Sequence, residues 1–247
     1  MLLPMYRSRF REYGSLISAV DICNRTESEL FPNSQRQVSP TAWTSPLSSP
    51  FQNTKFETFL WDELFSVACE LHGLSYMLDL YIRQRSKIGA IQREFFEDTF
   101  AGVQHNLISF PYPADTDTMQ STAYYRQNCW RLAAMIYLNT AIRAYNPISV
   151  MVQSFVTKLI PSLRLSDLPM MWSSFPEVLM WMAFMGRSVA MNESERYFFS
   201  SLLKQGKSLL NLNTASELEG LLQPLLYREV VFGGGLSMIW EEVNNTL

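Results

Sequence analysis

One apolar stripe constrains this chain more than any other feature. Over residues 56–82 the apolar side chains fall at 56, 59, 60, 64, 67, 71, 74, 78, 81 and 82. That three-and-four spacing lines up one side of a helix about seven turns long. Period-two alternation is rare elsewhere and β-branched residues are scattered, so no segment reads as a strand. The spacing predicts an all-α fold of about eight helices.

Further stripes predict helices over 88–108, through Ile91, Phe95, Phe96, Val103 and Leu107, and over 124–145, through Cys129, Leu132, Ile136 and Ile142. Another is expected over 148–163, carrying Met151, Phe155 and Leu159. Pro111 and Pro113 separate the first two, and Asn146-Pro147 stops the third, because proline restricts the residue before it to extended backbone. Ser174 with Glu177 reads as a capping box, and Pro176 sits in the first turn, where its missing N–H costs nothing. The helix so opened is apolar nearly all round and is expected at the centre of the fold. Asn192 with Glu195 and Thr214 with Glu217 read as caps of helices over 193–205 and 215–223. Gly233-Gly234-Gly235 is expected to be a hinge before a last short helix over 236–243.

The organisation read from these signals has three parts. An N-terminal helix occupies 1–23, through Tyr6, Phe10, Tyr13, Ile17 and Val20. An irregular linker follows over 24–53, punctuated by Pro32, Pro40, Pro46 and Pro50, with Trp43 and Phe51 as anchors. The helical body takes 54–247.

Composition narrows the function. Hydrophobic residues are 47% of 247, with 16 Phe, 11 Tyr, 6 Trp and 13 Met, enough for a sizeable core. A formal net charge of -3 argues against a basic protein that coats nucleic acid. Lys occurs only at 55, 87, 158, 204 and 207, so 15 of the 20 basic residues are Arg, the type suited to partly buried pairing. Cys23, Cys69 and Cys129 include no C-x-x-C pair, so neither a disulfide framework nor a zinc site is expected, and a reduced intracellular setting, nucleus or cytoplasm, is. The first residues lack the apolar run of a secretory signal. The most apolar segment, 178–185, has eight residues where a membrane span needs about 20. No membrane association is expected.

Five pieces of text carry a resemblance. They are Cys129-Trp-Arg-Leu-Ala-Ala-Met-Ile-Tyr-Leu138, Phe175-Pro-Glu-Val-Leu-Met-Trp-Met-Ala-Phe-Met-Gly186, Glu195-Arg-Tyr-Phe198, Leu221-Leu-Gln-Pro-Leu-Leu-Tyr227 and Trp240-Glu-Glu242. In this order they resemble the regulatory domain of fungal zinc-cluster transcription factors, the fungal-specific transcription factor domain, over about residues 56–245. The family's DNA-binding module is a binuclear zinc cluster held by six cysteines, and three dispersed cysteines cannot supply it. The resemblance therefore implies a regulatory, effector-sensing domain without direct nucleic-acid binding. It would act by homo- or hetero-dimerising with a related full-length regulator, or by binding a small apolar effector. No cofactor and no metal is expected.

Chemistry-bearing side chains are sparse. His72 and His105 form no H-x-x-x-H pair, Gly206-Lys207-Ser208 lacks the first glycine of a phosphate loop, and no Gly-x-Ser-x-Gly occurs. Under the alternative reading, an enzyme of secondary metabolism on the same scaffold with an apolar substrate pocket, the candidate acid/base groups are His105, Asp115, Asp117 and Glu177. The preferred ligand or partner surface is the Met- and Trp-rich layer, Trp172, Met180, Trp181, Phe184, Met185 and Arg187, because such side chains adapt to varied apolar shapes. Core packing is the plainer explanation of the same residues.

Overall fold

The computed structural model describes residues 58–83, 90–110 and 121–245. Among them every regular element is helical: α1 (Asp62–Arg83), α2 (Ala90–Ile108), α3 (Thr122–Tyr137), a π-helical turn (Leu138–Ile142), α4 (Val150–Leu165), α5 (Leu168–Ser174), α6 (Pro176–Val189), α7 (Glu193–Leu209), α8 (Ala215–Leu222), a 3₁₀ turn (Gln223–Leu225) and α9 (Glu229–Asn245). The all-α expectation holds. The expected N-terminal helix and the 24–53 linker lie outside the described residues.

The apolar stripe over 56–82 is interrupted at Trp61, so α1 begins at Asp62 rather than at 56. The buried Gln127 side chain explains the break. Its Oε1 accepts from the Trp61 N–H at 3.0 Å and its Nε2 donates to the Phe59 carbonyl at 2.5 Å, fastening the entry of α1 to α3. The expected helix over 124–145 ends its α-helical course at Tyr137 and widens into the π turn. There Asn139 Nδ2 donates to the Met135 carbonyl at 2.7 Å and Thr140 Oγ1 to the Ile136 carbonyl at 2.7 Å. Such side-chain bonds to carbonyls four residues back compete with the regular ladder.

Helix α6 sits at the centre, as its all-round apolarity predicts, packed against α3, α4, α5, α7, α8 and α9. Eleven of its 14 residues are buried. Trp181 faces Trp130 of α3 at 6.2 Å, and Phe184 meets Phe232 of α9 edge-on at 5.9 Å. Two glycines permit the tight fit. A Cβ on Gly186 would lie 2.3 Å from the Phe199 ring, and one on Gly206 would lie within 3 Å of Met180 and Trp172.

Two sequence expectations are corrected here. Ser174 does not cap α6: it is the last residue of α5, and Phe175 is the N-cap, with no side-chain cap bond. The short α5 escapes a periodicity search because seven residues hold barely two turns. Its start is still marked by Asp167, which accepts from the Met170 N–H at 3.3 Å, and by Pro169 in the first turn. The three glycines are not a hinge either, since α9 runs unbroken through them. Phe232, Leu236, Ile239, Trp240 and Val243 are buried along that helix, and burying them outweighs the roughly 1 kcal/mol that each glycine costs in a helix. The other two caps form as expected. Glu195 Oε2 accepts from the Asn192 N–H at 3.5 Å, while Glu217 N–H donates to Thr214 Oγ1 and Glu217 Oε2 accepts from the Thr214 N–H, both at 3.2 Å.

Candidate functional site

The Met- and Trp-rich layer is interior. Met180, Trp181, Phe184 and Met185 of α6 are 0–1% exposed, Trp172 of α5 6% and Arg187 8%, so none of the six presents a surface in this conformation. Trp181 Nε1 donates to the Leu226 carbonyl at 2.9 Å, and Leu226 itself holds left-handed backbone at φ 97°. Arg187 closes the layer at its far end. Its Nε donates to Ser200 Oγ at 3.1 Å and to Glu242 Oε1 at 3.2 Å, and its Nη2 pairs with Glu242 Oε2, joining α6, α7 and α9. Ser200 Oγ also donates to Glu242 Oε1 at 3.0 Å, so the carboxylate is held from two helices.

The two acid/base candidates among the described residues lie on different helices. His105 is exposed in the last turn of α2, 3.4 Å from Ser109 Oγ, while Glu177 is half-buried in the first turn of α6. Asp115 and Asp117 lie outside the described residues. Half-burial on α1 lowers the pKa of His72 below its usual 6.5 and raises that of Glu70. Cys129 is fully buried and its thiol is pushed far up by desolvation, which makes it unreactive packing. Among the described residues no group of three or more His, Cys, Asp and Glu could hold a metal ion, and no described helix is long and apolar enough to cross a membrane.

A second buried arginine went unnoticed in the sequence because its partner is 149 residues away. Arg228, 3% exposed, donates from Nε and Nη2 to Asp79 Oδ1 at 2.9 and 2.7 Å, and from Nη1 to the Ala141 carbonyl at 2.7 Å. It thereby ties α1 and the π turn to the loop before α9. Beside it Tyr137 Oη and Ser75 Oγ lie 2.8 Å apart, and burial drives the Tyr137 pKa well above its usual 10. These bonds satisfy a polar layer between packed helices. They hold elements in place.

An open concavity among the described residues lies elsewhere. A groove of about 260 Å³ runs between α3 and α4, with Tyr125, Asn128 and Leu132 on one wall and Lys158, Pro161 and Leu165 on the other. Its floor is cross-braced by Asn128, whose Nδ2 donates to Ser162 Oγ at 3.0 Å. Asn128 Oδ1 accepts from Arg131 Nε and Nη2 at 3.0 and 2.9 Å, and Arg131 Nη1 reaches the Leu107 carbonyl at 2.9 Å. The guanidinium is thus fastened between α2 and α3. Pro161 inside α4 removes the N–H that would bond to the Thr157 carbonyl. Residues 118–166 contain Arg126, Arg131, Arg143, Lys158 and Arg164 and no carboxylate at all. Of these five, Arg131 and Lys158 line the groove.

Residues 108–223 match the family model of the fungal specific transcription factor domain. The match spans α3 to α8, encloses three of the five quoted pieces of text and part of the fourth, and is narrower than the resemblance over 56–245. The match covers just under half of the chain, and over that segment the sequence is similar to this family. No curated protein and no solved structure matches the chain.

Proposed function

We propose that this domain regulates transcription by binding a partner protein, related full-length regulators foremost, rather than by transforming a substrate. The observation that carries the reading is the contrast between a sealed central layer and an open, cation-bearing groove on the α3–α4 face. A small apolar effector in the central layer would have to displace packed side chains, because the spaces beside Gly186 and Gly206 are already filled by Phe199, Met180 and Trp172. A protein partner needs no such rearrangement. The fungal specific transcription factor match supports the regulatory side of the reading. The test has two arms: co-purification of the tagged chain with full-length regulators from the same cell, and a reporter driven by the chain fused to an unrelated DNA-binding domain. The reading expects a specific regulator above background and a changed reporter level. Absence of both overturns it.

A further inference from the structure

Four local costs gather in the loop before α9 and the first half of that helix. Leu226 holds a left-handed backbone at φ 97°, a region that leucine rarely adopts. Tyr227 Oη is buried without a hydrogen-bond partner among the described residues. Arg228 carries its charge into the interior, where the Asp79 carboxylate is its one ionic partner among the described residues. Gly233, Gly234 and Gly235 then occupy consecutive helical positions, each a poor helix former. The compensating burial is thin. Of residues 229–235 only Phe232 is buried, whereas Leu236, Ile239, Trp240 and Val243 are all buried over the following turns. That second half is also fastened by Glu242, which meets Arg187 and Ser200, and by Lys207, 5.0 Å from the Trp240 ring.

We infer that residues 227–235 form a strap that opens as one unit while α6 and the rest of α9 stay folded, with the Asp79–Arg228 pair as its latch. The closed strap is the continuous helix described above, and opening unwinds its first turns. The root stays fixed, because the Leu226 carbonyl accepts from Trp181 Nε1 at 2.9 Å. Opening returns the Arg228 charge and the Tyr227 hydroxyl to water and restores backbone freedom to three glycines. What it gives up is the three donations of Arg228 and the contacts of the Phe232 ring. Asp79 belongs to α1 and its side chain is 38% exposed, so the latch is held from another helix and can be reached from outside. Phe232 covers Tyr137 from 6.1 Å and Phe184 from 5.9 Å, and an open strap bares both rings at the edge of the central layer. A packed domain thereby shows apolar surface without unfolding as a whole.

The test is amide hydrogen exchange of the full chain, in water and in low urea. Amides 231–235 are expected to exchange at least tenfold faster than amides 239–243 once intrinsic rates are divided out, and with little dependence on urea, because a local opening exposes little surface. Gly234 is exposed and has negative φ, so Gly234→Ala is expected to slow exchange of the strap about fivefold. The matched control Gly220→Ala in α8, where a methyl meets open space, is expected to leave the strap unchanged. Asp79→Ala is expected to speed exchange of the strap at least tenfold, although it acts from α1. Simple fraying of a helix end would ignore that variant. Circular dichroism checks that each variant remains folded, and should Asp79→Ala fail to fold, the parent and Gly234→Ala still decide. Amides 231–235 protected as well as 239–243, no slowing by Gly234→Ala, equal slowing by Gly220→Ala, or indifference of a folded Asp79→Ala each overturns the inference.

Discussion

Helices α4 and α6 pack against each other and both carry strong apolar patterns, yet they do different things. Eleven residues of α6 are buried and only five of α4. In α6 the apolar residues run all round, every side meets another helix, and the result is a rigid centre. In α4 a narrower stripe of Val152, Val156, Leu159 and Leu163 faces inward, Phe155 and Ile160 flank it half-buried, and Val150, Thr157, Lys158, Pro161 and Leu165 are exposed. Richness in Met and Trp therefore marks where the domain is held together. The α4 side is set apart by something a hydrophobicity scan passes over, a 49-residue stretch, 118–166, without a carboxylate.

The contrast can be broken most forcefully at its centre. Trp181→Ala removes a fully buried indole and its bond to the Leu226 carbonyl, and is expected to cost about 4 kcal/mol in urea unfolding. A loss below roughly 1 kcal/mol would mean that the centre is not the rigid part. Next in size is Asp79→Ala, which strands the buried Arg228 guanidinium with one carbonyl partner. A loss of about 2–3 kcal/mol is expected by the same measurement, moderated because Asp79 is 38% exposed. Replacing Asp79 and Arg228 together with apolar residues of similar size should recover part of it.

Gly186→Ala sharpens the packing claim. Alanine favours helices by about 1 kcal/mol over glycine, but here its methyl meets the Phe199 ring, so a net loss of about 1–2 kcal/mol is expected. The added variant Phe199→Leu should relieve the clash, which a double-mutant cycle reads as favourable coupling. The smallest effects belong to α4. Lys158→Ala and Leu165→Ala are expected to shift stability by no more than about 0.5 kcal/mol, since both side chains are exposed. A larger loss from either would show that the α4 face is structural.

How much of this was legible follows from what each signal encodes. Periodicity and caps are local, so the all-α class, the position of α6 and the caps at Asn192 and Thr214 could all be read from neighbouring residues. The Gly233-Gly234-Gly235 hinge failed because propensity is local while the burial of Phe232 and Leu236 is tertiary. The Ser174 cap failed because α5, too short to show a period, ends on that residue. The Asp79–Arg228 pair joins positions 149 residues apart, and no window along the chain brings them together. The Met/Trp layer was seen but its two readings, surface or core, share one composition. Only burial separates them.

The most direct test of the account is amide hydrogen exchange of the full chain. The account predicts that the buried α6 exchanges slowest, through whole-domain unfolding, and that the exposed ends of α4 exchange faster. An α6 that exchanges as fast as the exposed helix ends would contradict it.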